Sequence, residues 1–124
     1  MNYYNEHDAK TAAWLRSLIL AGAIPDGHVD ERSIADVHPS DLQGYTQCHF
    51  FAGIGGWSYA LQLAGCPSDR PVWTGSCPCQ PFSTAGKGLA QKDERHLWPV
   101  FFDLIRQCRP EHVFGEQVAS AIGH

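Results

Sequence analysis

The chain has 124 residues, of which 44% are apolar, and a formal net charge of −4. This length fits one domain, and the apolar share is that of a chain with a packed core, which argues against disorder. No segment approaches the roughly 20 apolar residues of a membrane span, and the first residues lack a signal-peptide pattern. We therefore expect a cytoplasmic protein without a membrane partner. The acidic charge means that nucleic acid must be bound by a local patch or by another domain.

The first predicted element is a helix that Asp8 caps and that ends at Gly22, with Pro25 just beyond it. Residues 25–44 are polar and rich in turn formers, and "SIADV" (33–37) is a candidate short strand within them. We predict a division into residues 1–44, a helix and polar connector, and residues 45–124, a second unit. The expected apolar stripe of the helix consists of Trp14, Leu15, Leu18 and Ile19.

The remainder alternates between strand and helix patterns. "TQCHFF", "PVWTGS" and "EHVFG" are predicted strands, "WSYALQLAG" is a predicted helix, and a second helix contains Pro99 in its first turn. The inward faces of the two helices are expected to be Trp57, Ala60, Leu61 and Ala64, and then Phe101, Leu104, Ile105 and Cys108. Strands that alternate with helices predict a doubly wound α/β sheet with parallel strands.

"FAGIGG" (51–56) follows a predicted strand and begins a predicted helix. Glycines at such a point allow positive φ angles, a sharp turn and close approach of a ligand to the backbone. The signal is weak by itself, because many α/β turns are rich in glycine and bind nothing. The stretch "AGKG" is not a phosphate loop, since Pro81 replaces the first required glycine and Gly88 replaces the Ser or Thr.

"GSCPCQPFS" (75–83) places Cys77 and Cys79 one residue apart in a stiff loop directly after a predicted strand. Zinc sites normally space their cysteines by two to four residues and use a second ligand pair, so this spacing does not favour a metal. The odd total of five cysteines does not favour a disulfide framework. A nucleophilic cysteine fits the position, since α/β enzymes keep reactive groups at the ends of strands.

Taken in this order, "FAGIGG", "GSCPCQPFS" and "FGEQV" (114–118) resemble the motifs of the DNA cytosine-5 methyltransferases, and the resemblance covers residues 49–119. It implies a Rossmann-like, S-adenosylmethionine-dependent methyltransferase fold of the α/β class, with a shortened parallel sheet and flanking helices. It also implies an enzyme that methylates C5 of cytosine in DNA after the base is flipped out of the duplex. The association with restriction-modification in bacteria or phages follows from the same resemblance.

The resemblance also implies roles for single residues. Cys79 matches the nucleophile, and Glu116 matches the glutamate that binds cytosine. The backbone of Gly53, Gly55 and Gly56 is expected to contact the methionine part of S-adenosylmethionine, with Phe51 near the adenine or ribose. Pro78, Gln80 and Ser83 are expected to shape the loop or to contact the substrate, and no metal is expected.

The chain departs from the family pattern before the Pro-Cys-Gln loop. The family has two further strand–helix steps there, with acidic residues for the cofactor, whereas only about twenty residues intervene here. "RSIADVHPSDLQGY" (32–45) resembles the family segment that precedes the loop, but it lies before the glycine turn. Asp36 is then a candidate for the adenine contact, and Asp30 or Glu31 for the ribose. Turn formation by these acids is the competing interpretation.

The family's target recognition part does not follow "FGEQV" before His124. The resemblance then implies a truncated catalytic fragment or one piece of a split enzyme, in which a second chain supplies target recognition. The alternative is a truncated, non-catalytic relative that acts as an inhibitor or regulator through protein–protein contacts. Replacing Cys79 with serine separates the two hypotheses, because methylation needs the thiol and partner binding does not.

Overall fold

The computed structural model describes residues 1–76 and 97–115. Within these ranges, five parallel strands form one sheet, and three α-helices lie against it. The strands are β1 (Asn2–Asn5), β2 (Gly27–Asp30), β3 (Gln47–Phe50), β4 (Val72–Gly75) and β5 (Val113–Gly115). The helices are α1 (Ala9–Leu20), α2 (Gly56–Leu63) and α3 (Leu97–Cys108). No helix in these two ranges is long and apolar enough to cross a membrane.

The strand order across the sheet is β2-β1-β3-β4-β5. If the strand before the glycine turn, β3, is counted as the first, its neighbours follow the 3-2-1-4-5 order of doubly wound nucleotide-binding sheets. The two strand–helix steps expected after the glycine turn are thus filled by β1 and β2, which precede it in the chain. This arrangement confirms the α/β prediction of parallel strands with a Rossmann-like order.

Strand β1 was not predicted, and its discovery changes the interpretation of residues 1–44. Tyr3 and Tyr4 pair with β2 on one side and β3 on the other, so the predicted division at residue 44 runs through a continuous sheet. The strand begins and ends with asparagine, a residue that strands disfavour. Asn2 is nevertheless fully buried and donates a 3.1 Å hydrogen bond to the Gln47 side chain on β3.

The predicted strand "SIADV" is wrong. Residues Ile34–Asp36 form a 3-10 turn, because the Ser33 hydroxyl accepts the backbone N–H of Ala35 and starts a tight helical turn. The strand lies earlier, at Gly27–Asp30, and a second 3-10 turn spans Pro39–Leu42.

Helix α1 begins as predicted, since the Asp8 carboxylate accepts the backbone N–H of Thr11 at 2.9 Å. Its predicted stripe is only partly correct, because Leu15 is fully buried while Trp14 is 54% exposed. Helix α3 follows its prediction more closely, and Phe101 and Leu104 are buried in the core.

The predicted inner face of α2 is wrong for its alanines. Ala60 and Ala64 are exposed, and the one α2 residue that is buried is Ser58, whose hydroxyl lies 3.3 Å from the Tyr4 hydroxyl. The residue is small and hydrogen-bonded, so the hydrophobic periodicity of the sequence gave no indication of it.

The two faces of the sheet differ in composition. The face under α3 is apolar, and it packs Tyr3, Phe50 and Trp73 against Phe101 and Leu104. The face under α1 and α2 has a smaller apolar cluster of Tyr4, Leu15 and Ile24. Polar side chains fill the rest of this second face and bond to one another across the strands.

Candidate functional site

A cleft of about 1180 Å³ lies at the carboxyl ends of the strands. This edge of a doubly wound sheet is where such folds bind ligands, next to the point where the strand order reverses. Here the order reverses between β1 and β3, which are neighbours in space. The lining residues lie at or after the ends of β1, β2, β3 and β4, or at the starts of α1 and α3: Asn5, Glu6, His7, Asp8, Ala9, Ser33, Ile34, Ala35, Phe51, Gly53, Ser76, Leu97 and Val100.

The glycine turn forms the wall of the cleft beyond β3. Phe51, Gly53 and Gly55 have φ angles of 53°, 57° and 79°, so the chain turns through the left-handed region three times in five residues. Gly55 is the N-cap of α2 and is buried, and a Cβ there would lie 3.4 Å from the side chains of Ile24 and Leu15. The prediction of a sharp, glycine-dependent turn is confirmed, and Gly56 follows as the first residue of α2.

Phe51 is a non-glycine residue in the left-handed region, a conformation that costs about 1–3 kcal/mol and is typical of functional sites. Its ring packs edge-on against Phe101 of α3, with the ring centroids 6.0 Å apart. The contact holds Phe51 at the cleft, which it lines together with Gly53.

Glu6 is a site residue that the sequence analysis missed. Its two carboxylate oxygens accept backbone N–H groups from Gly53, at 2.8 Å, and from Asp8, at 3.0 Å. The carboxylate therefore links the turn after β1 to the glycine turn after β3. An acid directly after a strand would have been the signal, but β1 itself was not predicted.

The acids that the sequence suggested for the cofactor lie around the end of β2. Asp30 is bonded by the Tyr3 hydroxyl at 2.8 Å and by the Arg32 guanidinium at 2.8 Å. Partial burial opposes ionisation of Asp30, but these hydrogen bonds dominate and lower its pKa to about 2. Glu31 is ion-paired with Arg16. Neither Asp30 nor Glu31 lines the cleft.

Asp36 ends the 3-10 turn that borders the cleft. Its side chain is exposed, and the three preceding residues, Ser33 to Ala35, line the cleft while Asp36 itself does not. Its backbone carbonyl accepts a hydrogen bond from Arg32 at 3.3 Å. The adenine contact proposed for Asp36 therefore requires its side chain to reach past the lining residues.

The ends of β4 and β5 lie side by side next to the cleft. Gly75 is opposite Gly115 in the strand register, and a Cβ on Gly75 would lie 2.5 Å from the Phe101 ring. Ser76 follows Gly75 and lines the cleft. The predicted residues Pro78, Cys79, Gln80, Ser83 and Glu116 lie outside the described residues.

Two described cysteines are unsuited to nucleophilic chemistry. Burial raises the pKa of Cys48 to about 12, and burial also raises the pKa of Cys108. A thiol attacks as its thiolate, so both groups are held in the unreactive form. Within residues 1–76 and 97–115, no cluster of three or more His, Cys, Asp or Glu side chains has the geometry of a metal site.

Comparison with known proteins finds a similarity in the second part of the chain. The family model described as C-5 cytosine-specific DNA methylase matches residues 67–124, just under half of the chain. This segment is therefore similar to the cytosine-5 DNA methylases. The curated relative Type II methyltransferase M.NgoMIV of Neisseria gonorrhoeae is 43% identical over 44 residues. That alignment covers 36% of this chain but only 14% of the relative. No solved structure matches the chain significantly.

The methylase match contains β4, α3 and β5 together with the positions of Cys79 and Glu116. The glycine turn, Glu6 and strands β1 to β3 precede the matched segment. The sheet joins the two parts, because β3 pairs with β4 over four residue pairs from Gln47–Val72 to Phe50–Gly75.

Proposed function

We propose that the chain is a catalytic module that transfers a methyl group from S-adenosylmethionine to C5 of cytosine in DNA through a covalent Cys79 adduct. The observation that carries the proposal is the adjacency of β3, β4 and β5. At one edge of the sheet, these parallel strands lead into the glycine turn, the Cys79 segment and Glu116, respectively. A cofactor turn, a nucleophile and an acid thus start from neighbouring strand ends.

The cleft offers chemical groups that suit S-adenosylmethionine. Its volume of about 1180 Å³ is somewhat above the range of roughly 300–1,000 Å³ that is usual for ligand pockets, so it has room for the cofactor. Gly53 lines the cleft and is proposed to face the methionine moiety, while the buried Gly55 shapes the turn behind it and Gly56 begins α2. The Glu6 carboxylate lies opposite this turn and suits the ribose hydroxyls, as acids after a neighbouring strand do in nucleotide-binding sheets. When bound, the cofactor supplies an electrophilic methyl group on a sulfonium.

The remaining contacts of the cofactor involve the rim of the cleft. The Phe51 ring, held against Phe101, is proposed to pack near the adenine or ribose. Asp36 is proposed for the adenine amino group, because Ser33, Ile34 and Ala35 before it line the same cleft. A free acceptor beyond an apolar wall would select an amino group over a carbonyl.

Cys79 has the role of nucleophile in the proposed reaction. Its thiolate forms a bond to C6 of cytosine while Glu116 holds a proton at N3, which turns C5 into an enamine carbon that can accept the methyl group. Loss of the C5 proton then breaks the bond between sulfur and C6 and restores the thiolate. Covalent catalysis suits a thiolate, since it attacks and leaves with similar ease. Glu116 must carry a proton when the base is bound, which is the usual requirement of a general acid.

The substrate is proposed to be a cytosine flipped out of duplex DNA, because C5 and C6 cannot be reached inside the base stack. Pro78, Gln80 and Ser83 flank Cys79 and are proposed to shape its loop and to contact the substrate. The net charge of −4 does not favour phosphate binding by this chain alone. A second chain that supplies target recognition completes the proposal.

Trapping on DNA that contains 5-fluorocytosine tests the proposal directly, since fluorine at C5 blocks release of the thiolate. The chain with S-adenosylmethionine should form a denaturation-resistant adduct with duplex DNA of mixed sequence. Cys79→Ser should abolish the adduct, while Cys77→Ser, the matched control two positions away, should retain it. An adduct that survives in Cys79→Ser would reject the nucleophile. The absence of any adduct from a folded chain, with and without a recognition subunit, would reject the activity.

A further inference from the structure

Trp57, the second residue of α2, makes two contacts outside its own helix. Its indole N–H donates a 2.7 Å hydrogen bond to the Ser76 hydroxyl, directly after β4. Its ring stacks on Phe114 of β5, with centroids 6.0 Å apart and an angle of 27° between the planes. One half-buried side chain therefore touches the ends of two neighbouring strands.

The two contact points directly precede the residues proposed to carry the chemistry. Ser76 lies three positions before Cys79, and Phe114 lies two positions before Glu116. Ser76 is also held through its backbone, whose N–H donates to the Phe50 carbonyl at 3.4 Å. The chain leaving β4 is thus bonded on one side to β3 and on the other side to α2.

We propose that Trp57 is a positioning residue that fixes the end of β4 at Ser76 relative to β5 at Phe114, the two points from which the chain continues to Cys79 and Glu116; this inference rests on the proposed function. Attack on C6 and the proton at N3 must meet the same base, so the two segments need a fixed separation. Small misplacements of reacting groups lower rates about a hundredfold. Trp57 touches neither substrate nor cofactor in this assignment and acts through Ser76 and Phe114.

The chemistry of the side chain supports this assignment. Tryptophan combines a large ring with a single N–H donor, so it can stack on Phe114 and bond Ser76 at the same time. Phenylalanine would preserve the stacking and remove the donor. Trp57 also lies two residues after Gly55, the N-cap of α2, which ties the positioning contacts to the glycine turn.

The test uses Trp57→Phe, Ser76→Ala and the double variant, with Trp98→Phe as the matched control. The Trp98 indole N–H is buried and has no hydrogen-bond partner in the described part of the chain, so its variant loses the same atoms without losing a bond. Three quantities are measured: the rate of adduct formation with 5-fluorocytosine DNA, the Kd for S-adenosylmethionine, and hydrogen exchange of peptides covering residues 73–80 and 112–118.

We expect the adduct rate to fall about tenfold in Trp57→Phe and equally in Ser76→Ala, as loss of one hydrogen bond predicts. The double variant should be no slower than either single variant, because both remove the same bond. The Kd of Trp57→Phe should stay within about twofold of wild type, and Trp98→Phe should keep the wild-type rate. Unchanged rates in Trp57→Phe and Ser76→Ala, or an equal fall in Trp98→Phe, would overturn the inference.

Failure of the proposed function gives a different result. If the wild-type chain forms no adduct, the proposed reaction is rejected, and hydrogen exchange decides the positioning role. Faster exchange of both peptides in Trp57→Phe, but not in Trp98→Phe, would support it. Exchange that is unchanged in both peptides would overturn it.

Discussion

The five strands form two groups that differ in the residues at their carboxyl ends. Strands β1, β2 and β3 end in a wall of turns where Glu6 bonds the glycine turn and ion pairs fix Asp30 and Glu31. Strands β4 and β5 end in two facing glycines, after which the chain continues toward Cys79 and Glu116. The first part contains most of the cleft residues proposed to bind the cofactor, and the second leads into the residues proposed for chemistry. Variants in the two parts should therefore alter binding and rate separately.

The largest expected effect lies in the second part. Glu116→Gln removes the acid proposed at N3 of cytosine and should lower the methylation rate about 10²- to 10⁴-fold, the usual contribution of a general acid. The Kd for S-adenosylmethionine should not change, because Glu116 belongs to the β5 side. Single-turnover methyl transfer and calorimetry on the same preparation provide both numbers. A variant that loses cofactor affinity instead would contradict the separation of the two parts.

A buried histidine lies where β3 of the first part pairs with β4 of the second, and we expect it to make the stability of the fold depend on pH. His49 of β3 is buried, stacks on Tyr4 and lies 2.6 Å from the Thr74 hydroxyl of β4, and its Nε2 has no partner among the described residues. Burial lowers its pKa from 6.5 to about 4. Between these values the unfolded chain binds the proton and the folded chain does not, so stability falls as pH falls from about 6.5 to 4.

We expect protonation of His49 to lower the free energy of unfolding by up to about 3 kcal/mol between pH 6.5 and 4. Urea unfolding of the wild-type chain at several pH values measures the slope. His49→Gln should flatten the slope between pH 4 and 6.5, whereas His112→Gln, an exposed control, should preserve it. Equal slopes in the wild-type chain and His49→Gln would show that another group is responsible.

A smaller effect is expected where the second part packs on α3. Gly75→Ala places a Cβ about 2.5 Å from the Phe101 ring, so the ring or the strand end must move. Overpacking of this kind lowers the free energy of unfolding by about 1–3 kcal/mol. Gly44→Ala is not a clean control, because Gly44 has a φ of 87°. Gly56→Ala is a better control, since a Cβ there meets nothing within 4 Å and φ is ordinary. The denaturation midpoint of Gly75→Ala should be lower than that of Gly56→Ala.

The sequence predicted the described elements of the second part and, in the first part, β3, the start of α1 and the glycine turn, but it did not predict β1 or β2. Strands β3, β4 and β5 and helix α3 are bounded by glycines and prolines, which made them visible. Strand β1 was missed because its asparagines are satisfied only by distant partners, Gln47 for Asn2 and the backbone of β2 for Asn5. No local pattern encodes such contacts. Glu6 was missed for the same reason, since its role depends on β1 lying next to β3.

The resemblance to a family compared the order of elements along the chain and so did not predict which strands are neighbours in the sheet. Because the family carries its acidic strand–helix steps after the glycine turn, their absence there was interpreted as a departure from the family pattern, and the candidate acids Asp30, Glu31 and Asp36 were sought before the turn. In space, β1 and β2 occupy the positions beside β3 that those steps require. The contacts of Trp57 could not be predicted from the sequence either, since Ser76 and Phe114 are 19 and 57 residues away along the chain.

The most direct test of the account is a calorimetric titration of the chain with S-adenosylmethionine, compared between wild type, Glu6→Gln and Glu31→Gln. We expect one saturable site in the wild-type chain. The affinity for S-adenosylmethionine should be about tenfold weaker in Glu6→Gln, because a charged hydrogen-bond acceptor is lost, and unchanged in Glu31→Gln. Circular dichroism of each variant verifies that it is folded. A folded wild-type chain that does not bind, or a Glu6→Gln variant that binds as well as wild type, would contradict the assignment of this cleft to the cofactor.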